Sequence, residues 1–127
     1  MATVAQEIWL TLWAMAQGTS LESSSIAFWT HHMSKYVFSG TDWVISPEIS
    51  PSTAISPRRR VDMMVKYLEI NSRLQTLCVF EAKSNATAPG VYNEAEMQAY
   101  DACSAVLNDT QIPYVYAMTA VGTKARL

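Results

Sequence analysis

The stretch RVDMMVKYLEINSRLQTLCVFEAK, from Arg60 to Lys83, decides the fold. Its first part, as far as Ile70, alternates in side-chain character every second residue, and its second part, from Leu74, is an apolar run ending in Glu81-Ala82-Lys83. Alternation with a period of two is typical of a β-strand, and a short apolar run bounded by turn residues is typical of a buried one. Because Asn71-Ser72-Arg73 separates the two parts, we predict two strands joined by a turn.

Two amphipathic helices are predicted before this pair of strands. Thr3 and Gln6 form a Thr-x-x-Gln capping pattern, which opens a helix that ends at Gly18. Thr19 and Glu22 repeat the capping pattern, and an aromatic stripe then continues to about Gly40. The apolar residues of the first helix recur at helical spacing, and we expect them to be buried against the sheet: Ile8, Trp9, Leu12 and Trp13.

The segments around the strand pair complete the predicted order of elements. Asp42 to Ile45 is typical of a short strand. The step Ile-Ser-Pro then occurs three times, and Pro47, Pro51 and Pro57 predict a proline-stiffened loop or an irregular hairpin tip. Asn93 and Glu96 begin a helix that ends at Asn108-Asp109, and Tyr114 to Met118 predicts a final strand. The apolar stripe of that helix is expected at Met97, Tyr100, Ser104 and Leu107.

Composition favours one globular domain over residues 1–127, because half of the 127 residues are hydrophobic. The formal net charge is −2, so attraction of the chain as a whole to nucleic acid is excluded, and any phosphate contact must be local or assisted by a metal. Cys78 and Cys103 lack metal-ligand spacing and are expected to be reduced thiols. No signal peptide or membrane span is indicated, so we expect an intracellular protein of the cytoplasm or nucleus.

Three charged residues carry the predicted chemistry. Strand alternation places Glu81 and Lys83 on one face of their strand, and pairing across the turn sets Asp62 opposite Glu81. Hydrolysis of a phosphodiester needs a hard cation held by carboxylates, a positioned water and positive charge near the phosphate. Asp62 and Glu81 would hold the ion, and Lys83 would orient water or neutralise charge. The alternative is a cross-strand salt-bridge cluster on a solvated sheet face.

Asp62 with the Glu81-x-Lys83 step resembles the PD-(D/E)XK nuclease superfamily, which has the restriction-endonuclease-like fold. The resemblance covers roughly residues 42–121 and implies a mixed α/β fold with two N-terminal helices, a three-stranded meander, a helix and a strand. It also implies Mg²⁺ or Mn²⁺ as cofactor, with Asp62 and Glu81 as metal ligands. Gln98 is similar to the glutamine of the RecB-like and lambda-exonuclease-like branches, and would orient Lys83 or the scissile phosphate.

This chain departs from the family pattern at two places. Val61 stands where the motif has proline, and Tyr100 follows Gln98 more closely than the branch tyrosine does. The acidic residue that some branches place on the first helix corresponds to Glu7, with Glu22 as the second choice. An ordinary polar position on the helix surface is the alternative for Gln98.

DNA is the expected partner, with RNA left open. Arg58, Arg59 and Arg60 are candidate nucleic-acid contacts, and a solvated turn is the alternative for them. Because no element follows the final strand, we expect a second copy or the remainder of a longer chain to complete the domain. The rival to a nuclease is a catalytically inactive module of this fold that binds protein or nucleic acid.

Overall fold

The computed structural model describes residues 1, 3–18, 21–49, 61–85, 90–110 and 112–127. These residues form a mixed α+β fold with three α-helices, a π-helical turn at Met33–Val37 and a five-stranded sheet. In chain order the elements are α1 (Val4–Gly18), α2 (Glu22–His32), β1 (Trp43–Ile49), β2 (Val61–Leu68), β3 (Leu74–Lys83), α3 (Val91–Thr110), β4 (Tyr116–Val121) and β5 (Lys124–Arg126). The predicted order of helices and strands is confirmed, and β5 is an addition to it.

The sheet has the order β1-β2-β3-β4-β5. The first three strands form an antiparallel meander, β4 is parallel to β3 after the crossover through α3, and β5 returns antiparallel to β4. The predicted turn between β2 and β3 is confirmed: the backbone N–H of Ser72 donates to Glu69 O at 3.0 Å, and Ser72 has a φ of 62°. β3 therefore lies at the centre of the sheet with a neighbour on each side.

Two apolar layers cover the central strands. On one face Phe28, Trp29 and Met33 of α2 and the π-helical turn pack on Met63 and Phe80. On the other face, Ala102 and Val106 of α3 pack on Val61, Met64 and Val79. The sheet is thus sandwiched between helices, which is the usual way for a mixed sheet to bury both faces.

α1 was predicted to pack on the sheet through Ile8, Trp9, Leu12 and Trp13, and the structure corrects this in part. Trp9, Leu12 and Trp13 are half-buried against the cluster that joins α2 to the strands, whereas Ile8 is 45% exposed. α1 packs mainly on α2, and its buried Ala16 belongs to the same cluster as Met63, Phe80 and Ala82 of the sheet. The capping prediction at its start is confirmed, since Thr3 N donates to Gln6 Oε1 at 2.8 Å and Gln6 N donates to Thr3 Oγ1 at 3.2 Å.

Two further predictions of local structure were wrong. β1 continues through Pro47 to Ile49, where we predicted a loop after Ile45. β1 is the edge strand of the sheet, which is where proline is tolerated within a strand. The start of α2 at Glu22 has Leu21 at its N-cap without a side-chain hydrogen bond, and Thr19, the predicted cap, lies outside the described residues.

The buried face of α3 also differs from the prediction. Met97 and Tyr100 are 62% and 68% exposed, and the buried residues are Ala95, Ala99, Ala102 and Val106. Small side chains allow the helix to lie close to the strands, so the packed stripe consists mostly of alanine and its hydrophobic signal in the sequence is weak. Within the described ranges, every helix is too short or too polar to cross a bilayer.

Candidate functional site

The carboxyl end of β3 brings the predicted acidic residues together. β2 and β3 pair through Met63↔Phe80, Met64↔Val79 and Val65↔Cys78, and the same register carried one residue further sets Asp62 opposite Glu81. Next to the turn the pairs are Lys66↔Thr76, Tyr67↔Gln75 and Leu68↔Leu74, one residue off the register predicted from the position of the turn. The bulge between Val65 and Lys66 shifts the pairing by one residue, so the predicted alignment holds only beyond it, at the end of the ladder that carries the acidic residues.

The carboxyl groups of the buried Glu81 and the half-buried Asp62 lie close together. The backbone N–H of Ala82 donates to Asp62 Oδ2 at 2.7 Å. Glu81 is only 5% exposed and follows directly on the apolar residues Leu77 to Phe80. Two ionised carboxylates at close range repel, so this arrangement favours a proton on one of them.

The pKa values of both carboxyl groups are raised. Burial first, and then the charge of Asp62, raise the pKa of Glu81 from its ordinary value of 4.5 to about 8. Burial also raises the pKa of Asp62, although the hydrogen bond from the Ala82 N–H opposes the rise. The pair therefore retains a proton to a higher pH than two isolated carboxyl groups would.

Lys83 lies beside the pair and contacts two helices. Its Nζ is 3.2 Å from Glu22 Oε1 of α2 and 3.6 Å from Glu94 Oε1 of α3. Burial disfavours its charge, but the hydrogen bond and charge of Glu22, with the charges of Glu94 and Glu81, raise the pKa of Lys83 above its ordinary value. The lysine is therefore a fixed cation at the end of β3.

Glu22 is the helical acid that reaches this site, where we predicted Glu7 first. Glu7 is exposed in the first turn of α1, a helix that packs mainly on α2. Glu22 stands one turn before Ser25, whose hydroxyl donates to Gly122 O at 2.8 Å, and Trp29 Nε1 donates to the same oxygen at 2.9 Å. Because Gly122 N donates to Lys83 O at 2.9 Å, these bonds hold the start of α2 against the end of β3.

The donor set at this site contains two carboxylates in mutual contact, Asp62 and Glu81. Over the described part of the chain, no group of three or more His, Cys, Asp or Glu side chains is arranged to hold a metal ion. The predicted ligand pair nevertheless fits Mg²⁺ or Mn²⁺, since Mg²⁺ keeps several of its waters and is commonly bound by one or two protein carboxylates. A divalent cation would also take the place of the proton that now screens the two groups.

The remaining predicted residues lie further out or cannot be placed. Gln98 is exposed on α3 one turn after Glu94, and among the described residues its side chain has no hydrogen bond to Lys83. Tyr100 is exposed on the same helix. Arg58, Arg59 and Arg60 lie outside the described residues.

Sequence reasoning missed Glu94 at this site. Its position in the first turn of α3 was visible in the sequence, because the capping pattern at Asn93 and Glu96 brackets it. The crossover from β3 into α3 returns that first turn to the strand end it has just left. An acidic residue in the first turn of this helix was therefore the available signal.

Comparison of the chain with protein-family models, with curated proteins and with solved structures found no match. The interpretation of the site accordingly rests on the chain's own residues and their geometry.

Proposed function

We propose that this chain is a Mg²⁺- or Mn²⁺-dependent nuclease of the PD-(D/E)XK type that hydrolyses phosphodiester bonds in DNA. The single observation that carries the proposal is the buried Glu81 beside the half-buried Asp62, with Lys83 two residues beyond Glu81 on the same strand. Burying acids in contact destabilises a fold unless nearby positive charge compensates for it. Such a pair is therefore expected where the chemistry of a site requires it. Perturbed carboxyl groups of this kind are concentrated at functional sites.

Asp62 and Glu81 would hold the divalent ion. When bound, the ion supplies positive charge to the phosphodiester and makes water a better nucleophile at neutral pH. The Ala82 N–H fixes Asp62 Oδ2 at 2.7 Å, so one carboxylate is already oriented before any ion binds. Glu81 must release its proton to become a ligand, so binding of the ion and loss of one proton are coupled.

Lys83 would supply the second positive charge. It is held by Glu22 at 3.2 Å, and by the more exposed Glu94 at the longer distance of 3.6 Å. An exposed ion pair contributes little energy, so a phosphate oxygen can replace Glu94 while Glu22 keeps the ammonium in place. The lysine would then neutralise charge on the phosphate or orient the attacking water. Gln98, one turn beyond Glu94, is the proposed partner of Lys83 or of the scissile phosphate.

A non-catalytic module is the second candidate function. The observation that favours it is the pairing of Lys83 with acids from both flanking helices, because such a network also serves to fasten α2 and α3 to the sheet. In that case Asp62 and Glu81 would keep their shared proton and would have no affinity for divalent ions. The two candidates therefore differ in metal binding.

Calorimetric titration with Mn²⁺ at pH 7 separates the candidates. We expect the wild-type chain to bind Mn²⁺ and to release close to one proton per ion, measured by repeating the titration in buffers of different ionisation enthalpy. Glu81→Gln should bind more weakly and release no proton, because a neutral amide replaces the ligand. Lys83→Ala should keep the ion or bind it more tightly, because a nearby positive charge is removed.

Glu69→Gln is the matched control, since it makes the same substitution in the turn at the opposite end of β3. It should bind Mn²⁺ as the wild type does. No heat of binding in any of the four proteins would reject the nuclease proposal and favour the non-catalytic module.

A further inference from the structure

We propose that Lys124 and Arg126 of β5, with Tyr92 of α3, contact the DNA backbone beside the scissile phosphate and so set the path of the strand across the site. This inference rests on the proposed nuclease function. It concerns residues that neither the motif nor the carboxyl pair includes. It makes β5, the edge strand absent from the predicted fold, part of the substrate surface.

The register of the sheet aligns these cations with the catalytic residues. Across β3, β4 and β5, Lys83 pairs with Val121 and Val121 with Lys124, while Glu81 pairs with Thr119 and Thr119 with Arg126. Directly paired residues point to the same face of a sheet, and adjacent strands lie about 4.8 Å apart. Each β5 cation therefore starts about 10 Å from its β3 counterpart on the same face.

Contacts with α3 show which face this is. Arg126 Nη1 is 3.0 Å from Glu96 Oε1, and its guanidinium carbon lies 4.0 Å above the centre of the Tyr92 ring. Tyr92 and Glu96 flank Glu94, which contacts Lys83. Arg126 and Lys83 thus contact neighbouring residues at the start of α3.

Arg126 is restricted in conformation, has unused N–H donors and is exposed, which are properties expected of a residue that binds phosphate. Stacking on Tyr92 restricts its long side chain, so less conformational freedom is lost on binding. Glu96 takes one terminal nitrogen, whereas a guanidinium carries five N–H donors. The Arg126 side chain remains 59% exposed, and the Glu96 side chain 47%. An ion pair this exposed is weak enough to exchange its carboxylate for a phosphate.

The short β5 strand is held firmly for an edge element. Its three residues are all exposed, so it buries little apolar surface of its own. The turn before it is fixed by the buried hydrogen bonds from Ser25 and Trp29 to Gly122 O. Gln17 Nε2 also donates to Thr123 Oγ1 at 3.3 Å. These bonds keep Lys124 and Arg126 at a constant distance from the end of β3.

Individual cations such as Lys124 and Arg126, and not the net charge, must account for DNA binding by this chain. The chain carries a net charge of −2, so its overall field opposes DNA and binding must come from particular cations. Each phosphate neutralised by a cation contributes about 0.9 to the slope of log affinity against log salt on duplex DNA, and about 0.7 on a single strand. The salt slope therefore counts phosphate contacts one at a time.

The test measures DNA binding in the absence of cleavage. The full chain carrying Glu81→Gln is titrated, in Mg²⁺ and over a range of KCl, against a fluorescein-labelled oligonucleotide in single-stranded and duplex form. Lys124→Ala and Arg126→Ala are then added singly. Their matched controls are Lys66→Ala in β2 and Arg73→Ala in the β2–β3 turn, which remove the same charge away from the carboxyl end of β3.

We expect each β5 variant to lower the salt slope by about 0.7 to 0.9 on the form that binds, and the controls to leave it unchanged. Glu96→Gln should tighten DNA binding, because it removes the carboxylate that competes for Arg126. If Arg126 served only its surface ion pair, Glu96→Gln would leave DNA binding unchanged. Equal salt slopes in all variants, or no DNA binding at all, would reject the proposed contact of β5 with the DNA strand.

Failure of this inference is distinguishable from failure of the nuclease proposal. Cleavage by the wild type together with unaltered slopes in the β5 variants would reject the path alone. If the wild type cleaves no DNA but only the β5 variants lower the salt slope, the proposed contact of β5 with the DNA backbone is retained and the nuclease proposal is rejected.

Discussion

Replacing Glu81 with glutamine should stabilise the metal-free protein, and the gain should grow with pH. Glu81 has its pKa raised from 4.5 to about 8, so the folded chain keeps a proton that the unfolded chain releases between these values. Because the folded state then binds more protons than the unfolded state, the stability of the wild type falls as the pH rises through this window. The amide of glutamine is uncharged at every pH and can still donate to Asp62.

The magnitude follows from the same pKa values. One pKa unit corresponds to about 1.4 kcal/mol, and pH 7 lies about 2.5 units above the ordinary value of 4.5. The upper limit of the gain at pH 7 is therefore roughly 3 kcal/mol, and we expect about 1–3 kcal/mol in Glu81→Gln. Near pH 4.5 the two proteins should be almost equally stable.

Urea unfolding in EDTA at pH 4.5, 7 and 8.5 measures this difference, with Glu69→Gln as the control that should follow the wild type. Adding Mg²⁺ should reduce the difference in stability between the two proteins at pH 7, because the ion binds more tightly to the chain that retains both carboxylates and stabilises it more. If Glu81 instead belonged to a simple salt bridge, the variant would lose up to about 1 kcal/mol. A loss of stability in Glu81→Gln at pH 7 would refute the shared-proton account.

Three further predictions concern the fold. Trp13→Ala should lower the free energy of unfolding by about 2 kcal/mol, less than a fully buried tryptophan would, since Trp13 is half-buried; an unchanged urea midpoint would show that the α1 packing is misplaced. Trp9 Nε1 donates to His32 Nδ1 at 3.1 Å, and burial lowers the pKa of His32, so stability should fall as pH drops below about 6.5; His32→Asn should flatten this loss in unfolding curves from pH 7 to 5. Gly122→Ala should lower the free energy of unfolding by about 1–3 kcal/mol, because Gly122 has a φ of 59° and an added Cβ would lie 2.7 Å from the Cβ of Asn85. Gly18→Ala is the control and should be neutral or stabilising, because nothing lies within 4 Å of a Cβ added there.

The strand pair at the centre of the fold could be predicted because its information is local. The turn at Asn71-Ser72-Arg73 sets the pairing to within one residue, and the bulge between Val65 and Lys66 brings the ladder into the register that aligns Asp62 with Glu81. Side-chain alternation then puts Glu81 and Lys83 on one face. The residues of the motif could be found together for the same reason, since all of them lie on one hairpin.

The parts that could not be predicted depend on contacts between distant segments. Whether Glu7 or Glu22 reaches Lys83 is decided by the hydrogen bonds of Ser25 to the Gly122 turn, almost 100 residues further along the chain. Both acids stand in a first helical turn, so local pattern does not separate them. A helix that packs closely through alanine also gives a weak hydrophobic signal, so the spacing of Met97 and Tyr100 predicts α3 without identifying its buried face.

The most direct test of the central claim is cleavage of a labelled DNA by the purified chain in Mg²⁺ or Mn²⁺, compared with EDTA. We predict cleavage with the ions and none in EDTA, and we expect Glu81→Gln and Asp62→Ala to abolish it while Glu69→Gln retains it. No cleavage of single-stranded or duplex DNA with either ion, or the same cleavage in Glu81→Gln as in the wild type, would contradict the account.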